Sequence, residues 1–361
     1  SYNLKEYPAS ANDYKKVLEE YPQHTLANSG LLGLQEVLAL MGKSNEVDQY
    51  IALYKKANPD DKALESVEYE RARNLYFEQK YTEAIAALKG YRVSYPQSIN
   101  AAEALYYVGE CYYRLNQTAP ALEAYYQLIG DMQTVSPAKV YQRIGALEYS
   151  NKNYPVAIKY WHKLRVSSDS KRDLYTAREG LMESHFAANA LDSSQLYAER
   201  ILGDDKVAFN AQNKAGTYMG KIAFERNQYG AALDEFLAVV NAAKDINAAE
   251  SQYYVGLIQY KQKEYKRSLE TLFGLNKSYA VYDYWLGESF LLIADNYLAL
   301  NELFQAKATL ESVITNSPLP EMKAAARTKL QEVGKREAEA VTQKDSDESP
   351  IKKDSTSQKR N

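Results

Sequence analysis

The sequence predicts an all-α fold built from stacked helix–turn–helix repeats, and three observations predict it. Gly109, Gly145, Gly180, Gly220 and Gly256 step along the chain by 36, 35, 40 and 36 residues, with Ala72 and Ala294 holding the same place in flanking copies and Gly33 in an earlier one. A second small residue recurs further on, at Ala84, Ala121, Ala157, Ala232, Ser268 and Ala306, each followed four residues later by a large one: Leu88, Tyr125, Trp161, Phe236, Leu272 and Leu310. Proline closes several copies, at Pro22, Pro59, Pro96, Pro137 and Pro318.

Each observation has a physical reason. Glycine inside a helix costs roughly 1 kcal/mol against alanine, so glycines at matched positions argue for close backbone approach between two helices. Residues i and i+4 share one helix face, so the large residue fills the groove beside the small one in ridge-into-groove packing. Proline cannot continue a helix interior and marks the turn into the next copy. Pro120 and Pro155 start second helices, where a missing N–H costs nothing.

The register divides the chain into a half-unit at 1–25 and units at 26–64, 65–101, 102–137, 138–172, 173–212, 213–248, 249–286 and 287–334. The unit at 173–212 departs most, since FAANALDSSQLYAERIL lacks a clean alanine-led second helix, and the array is expected to bend or change pitch there. Residues 1–334 form the array. Residues 335–361 hold almost no apolar residue and read as a fraying helix followed by a disordered tail.

Composition excludes several classes of function. The 361 residues are 45% hydrophobic and 25% charged. Mean hydropathy is −0.54, and the net charge of −3 leaves no basic footprint for nucleic acid. Cys111 is the only cysteine, so no internal disulfide can form. The most apolar stretch, LGESFLLIADNYLAL, is broken by Glu288 and Asp295 and is too short to span a bilayer. The opening SYNLKEYPAS has no basic start or apolar run. It begins in the middle of a repeat, so a preceding piece with a targeting signal is expected.

The order small, Tyr, Ala, aromatic, Pro within VEYERARNLYFEQKYTEAIAALKGYRVSYP and AEALYYVGECYYRLNQTAPALEAYYQLI resembles the tetratricopeptide repeat, over about residues 1–335. YPQSINAAEALYYVGECYYRLNQ is similar to bacterial envelope repeat proteins of the outer-membrane assembly lipoprotein and Tol-Pal-associated kinds. YWLGESFLLIADNYLALNELFQAKATLESVI looks like the C-terminal end of long Bacteroidetes repeat proteins. The resemblance implies a right-handed superhelical solenoid whose first helices line a concave groove, and a location in the periplasm or envelope, lipid-anchored at full length, with the cytoplasm left open.

Tyrosines divide between packing and that groove. Tyr112 is expected to pack against the next unit, while Tyr106, Glu110 and Tyr113 aim at the groove. Matching positions carry Tyr69, Arg73, Tyr76, Phe77, Arg114, Tyr149, Lys221, Phe224, Tyr253, Tyr260 and Lys261. Tyrosine with interspersed Arg, Lys and Glu is a usual composition for a recognition surface. The competing reading makes tyrosine a half-buried filler, and 33 Tyr against 8 Phe favours it.

Nothing in the sequence assembles a catalytic or metal site. His24, His162 and His185 match no zinc spacing, and a Ser184–His185 neighbour pair points apart on a helix. Cys111 reads as a small buried hydrophobe, Trp161 as core, and Trp285 as either core or surface. The expectation is therefore a non-enzymatic scaffold, without cofactor or metal, whose partner is a protein or peptide. Arg73, Arg114, Lys221 and Lys261 would meet acidic groups on that partner. The alternative is a glycan- or peptidoglycan-binding envelope protein, and self-association through exposed array ends is a further possibility.

Overall fold

A computed structural model describes residues 6–59, 61, 63–130, 135–204 and 206–347, with only the backbone described at 63 and 340–347. Among them are eighteen α-helices and no strand. They fall into two compact units that divide between Ala188 and Asn189.

The first unit contains α1 Tyr7–Glu20, α2 Ala27–Leu40, a 3-10 turn Ser44–Val47, α3 Asp48–Ala57, α4 Ala63–Phe77, α5 Tyr81–Ser94, α6 Ala101–Arg114, α7 Thr118–Leu128, α8 Pro137–Ser150, α9 Tyr154–Ser167 and α10 Lys171–Ala187. The second contains α11 Leu191–Leu202, α12 Phe209–Glu225, α13 Tyr229–Ala242, α14 Ile246–Lys261, α15 Tyr265–Ser278, α16 Asp283–Ala299, α17 Leu303–Asn316 and α18 Pro320–Asp347. α18 runs on past Gly334 to Asp347, and residues 348–361 lie outside those described.

Within each unit successive helices pack on each other. First helices also run beside the first helix of the next repeat: α2, α4 and α6, then α8 and α10, in the first unit, and α12, α14, α16 and α18 in the second. Apart from α1 with α3, the second helices make no comparable contact with one another. The first helices therefore share one face of each unit.

The glycine–aromatic pairing is direct. A methyl group built on Gly109 would stand 2.8 Å from the Tyr125 ring, and one on Gly220 would stand 2.6 Å from Phe236. Gly145 and Gly256 relate in the same way to Trp161 and Leu272, each at 2.8 Å. Bare backbone lets the ring or leucine lie on the helix surface, and the large residues are buried throughout.

Two glycines depart from the expected register. Met182, not Gly180, stands seven residues before the turn residue Asn189, as Gly109 stands seven before Asn116. Gly180 instead faces back onto Trp161 of the preceding second helix, and Gly33 faces back onto Tyr14. The uneven steps of 35 and 40 arise from taking Gly180 into the wrong series. Tyr112, expected against the following repeat, takes Lys89 of the preceding hairpin, whose Nζ donates to its hydroxyl at 2.8 Å.

Candidate functional site

The first-helix face starts from how each hairpin turns. Gln79, Asn116, Lys152, Asn189, Asn227, Lys263 and Asn301 all have φ between +56° and +63°, one after each first helix from α4 to α16. A left-handed residue there lets the next N–H reach back to a carbonyl near the helix end. Lys80 donates to Leu75 at 2.9 Å, Asn153 to Glu148 at 2.8 Å, and Glu264 to Gln259 at 2.9 Å. The last turn of the helix is thereby closed, and the chain re-enters helix within two residues.

That turn fixes four of the sequence-predicted positions. The ring three residues before the left-handed residue packs on the residue that opens the second helix. The ring centres are 5.9 Å apart for Tyr76 and Tyr81, 5.7 Å for Tyr149 and Tyr154, 5.6 Å for Phe224 and Tyr229, and 5.7 Å for Tyr260 and Tyr265. These aromatics hold the hairpin closed with one edge and leave the other partly exposed. The sequence signal for them is an aromatic pair five residues apart around Asn, Gln or Lys.

In the first unit the face carries a run of rings. Tyr76 meets Phe77 at 5.3 Å and Tyr107 at 4.9 Å, and Tyr107 meets Tyr106 at 5.7 Å. Phe77 is 60% exposed, and Arg114 is exposed in the same turn of the next helix. Tyr69 is buried against Tyr91, with Arg73 over its ring at 5.6 Å; Arg73 itself pairs with Glu70 at 2.5 Å.

Glu110 lies inside this face and is only 3% exposed. Arg143 on α8 donates from Nε at 2.7 Å and from Nη2 at 2.8 Å to its two oxygens, and the Tyr125 hydroxyl donates at 2.6 Å. Burial works against the carboxylate, but these donors outweigh it and hold its pKa below the usual range. Arg143 also stacks on Tyr113 at 4.1 Å. Glu110 thus locks α6 to α8, and Tyr113 is covered by that lock. Next to it, burial pushes the Cys111 thiol up to about 12, so it stays protonated and unreactive.

In the second unit Lys221 pairs with Glu250 at 2.9 Å and lies over Tyr218 at 4.4 Å, while Lys261 lies over Phe224 at 5.6 Å. Tyr253 donates to Glu288 at 3.4 Å and packs on Trp285 at 5.4 Å, and Trp285 meets Tyr284 at 5.0 Å. Burial raises the pKa of Tyr253, and Glu288 adds to it.

The structure therefore brings Tyr76, Phe77, Tyr106 and Arg114 onto one accessible patch and keeps Tyr69 and Glu110 inside the array. Arg73 and Lys221 are held by intramolecular carboxylates. Sequence reasoning missed Tyr107, Arg143, Glu250, Tyr254 and Tyr284. Three of them share a signal of position: Tyr107, Arg143 and Tyr254 stand two residues before the small residue of their first helix. Among the described residues no cluster of three or more His, Cys, Asp or Glu is arranged to hold a metal ion, and no helix is long and apolar enough to cross a membrane.

Two of the hairpins match a known repeat. The tetratricopeptide-repeat family model matches residues 103–131, in α6 and α7, and 288–319, in α16 and α17. The chain is tetratricopeptide-like in one hairpin of each unit. Among solved structures, the C-terminal part of a TPR repeat-containing protein from Cytophaga hutchinsonii is similar at 14% identity and TM-score 0.50, over 71% of this chain and 98% of that one. A tetratricopeptide repeat protein from Parabacteroides merdae is similar at 15% identity and TM-score 0.44, over 73% and 98%. Yeast Tom70 is similar at 12% identity and TM-score 0.48, over 86% of this chain and 61% of its own. At 14% identity the likeness to the Cytophaga protein speaks for the fold alone. None of the curated proteins compared matches the chain.

Proposed function

We propose that the protein is a non-catalytic scaffold that holds a peptide or partner protein on the first-helix face, and that it serves cell-envelope assembly. One observation carries the binding part: Phe77, 60% exposed, continues an aromatic run through Tyr76, Tyr107 and Tyr106 beside the exposed Arg114. Rings already fixed by packing lose little freedom on binding, so apolar partner surface laid on them is buried at small entropic cost. The envelope part rests on the sequence resemblance around residues 95–117.

A photo-crosslinking amino acid placed at Phe77 or at Tyr107, in the cells that make the protein, tests both parts. Val93, 82% exposed on the second helix α5, is the control position. The expected result is one discrete adduct from positions 77 and 107, absent from 93 and found in the envelope fraction. Equal yield from all three positions would sink the face assignment, and an adduct confined to cytoplasm would sink the envelope assignment.

A further inference from the structure

The repeats of the second unit can be compared with each other position by position. On α12, Tyr218 stands two residues before Gly220 and Lys221 one residue after it; on α14, Glu250 stands six residues before Gly256. Lys221 joins the three: its ammonium lies 4.4 Å from the centre of the Tyr218 ring and 2.9 Å from Oε1 of Glu250. A cation there is favoured twice, by the ring face and by the carboxylate.

One repeat further on, two of the three residues return. Tyr254 stands two before Gly256, and Glu288 stands six before Ala294 on α16. The third is replaced, because Leu257 follows Gly256 where Lys221 follows Gly220. Leu257 packs with the apolar cluster of Leu269, Leu272, Leu292 and Ile293, and so supplies no cation. Tyr254 is partly exposed, with one face stacked on Phe236 at 5.0 Å and 13°, and with Phe224 and Tyr253 edge-on to it at 5.3 and 5.7 Å. Glu288 accepts from the phenols of Tyr253, at 3.4 Å, and Tyr284. Among the described residues it has no Lys, Arg or His within salt-bridge distance. Tyr284, 49% exposed, stands beside it. The carboxylates of Glu225 and Glu321 also act on the Tyr254 or Tyr284 hydroxyls, while Glu250 is engaged by Lys221 and Lys261 lies over Phe224.

We propose that the ammonium or guanidinium of a lysine or arginine side chain on a partner protein plays here the part that Lys221 plays one repeat earlier, seated over Tyr254 and paired with Glu288. The inference rests on the scaffold reading above and names the chemistry that its second unit selects. It differs from the expectation that this face offers cations to acidic groups, since Lys221 is already engaged by Tyr218 and Glu250.

The test uses three fluorescein-labelled nonapeptides of alternating glycine with lysine, Nε-acetyl-lysine or glutamate, titrated against the whole chain at low salt by anisotropy. The lysine peptide is expected to bind about tenfold more tightly than the other two. Glu288→Gln is expected to weaken it by about tenfold. Leu257→Lys, which supplies the chain's own cation, is expected to weaken it similarly while circular dichroism shows the fold and thermal midpoint retained. Lysine-peptide binding that is undetectable, or unchanged in Leu257→Lys, overturns the inference. So does a preference for the acetylated or glutamate peptide, or displacement of the lysine peptide by free spermidine at equal charge. Crosslinking from Phe77, on the other unit, reports the scaffold reading separately, so the two can fail independently.

Discussion

Trp161 is wedged between two glycines, and it yields a quantitative test of the glycine argument. Its indole lies against two bare helix backbones, Gly145 on α8 and Gly180 on α10. A methyl on Gly145 would come within 2.8 Å of the ring-fusion carbons, and one on Gly180 would overlap them outright, with Nε1 also at 2.8 Å. The indole is rigid and 6% exposed, so it cannot swing aside. Overpacking of this kind costs about 1–3 kcal/mol, against which alanine contributes roughly 1 kcal/mol of helix propensity. Gly180→Ala should therefore destabilise by about 2 kcal/mol and Gly145→Ala by about 1 kcal/mol. Trp161→Leu alone should lose about 2–3 kcal/mol through the space it vacates. In the double variant Gly180→Ala/Trp161→Leu the methyl and the leucine relieve each other, because the smaller side chain leaves room for the methyl. The coupling energy should be at least about 1.5 kcal/mol, read from native-state hydrogen exchange of α9 amides, which isolates this part of a repeat array. Additivity within about 0.5 kcal/mol would refute the claim that the glycines exist to seat the ring.

Three other outcomes are expected. Lys152 and Lys263 hold a left-handed backbone, at φ 62° and φ 63°. Lys152→Gly and Lys263→Gly relieve it and should each stabilise by about 0.5–1 kcal/mol in urea titrations, whereas the same change at an exposed helix-interior position should destabilise. Arg143→Met should cost about 3–5 kcal/mol, because it strands the buried Glu110 carboxylate. The pH dependence should also weaken. In the parent, Glu110 is held below its ordinary 4.5, so its contribution is present above that value and lost as pH falls through the folded value. In the variant the Tyr125 hydroxyl still donates to Glu110, but without Arg143 burial is less opposed, so this acid-side loss should shrink. His162 and His185, with ring centres 6.4 Å apart, are both held below their ordinary 6.5, by burial first, then by Arg165 at His162 and by the His162 charge at His185. Their contribution is present above pH 6.5 and lost as pH falls through the folded values. A His162→Gln/His185→Gln chain should accordingly show a flatter melting curve against pH between about 6.5 and 5.

The helical repeat and its hairpin boundaries were legible because close packing of two helices needs a small residue, and small residues at fixed spacing are visible in one dimension. Gly109 with Tyr125 and Gly220 with Phe236 could be paired from the sequence for that reason. Gly180 could not be, since a glycine looks the same whichever neighbour it faces; only the turn at Asn189 shows that it belongs two residues out of register. The left-handed turn was hidden because Asn, Gln and Lys occupy it in place of glycine, and backbone hydrogen bonds hold it there.

The first-helix face divides the same way. That Tyr, Arg, Lys and Glu recur at one helix position is a property of the sequence, because helical period alone decides which residues share a face. Which of them remain available is decided by pairs far apart in the chain. Glu110 is enclosed because Arg143, 33 residues on, reaches both of its oxygens, and Lys221 is engaged because Glu250 arrives from the next helix. Among the described residues Glu288 meets no cation, and leucine stands at 257 where lysine stands at 221. A charge is engaged or free according to what stands within about 4 Å of it, and that distance exists only once the helices have stacked.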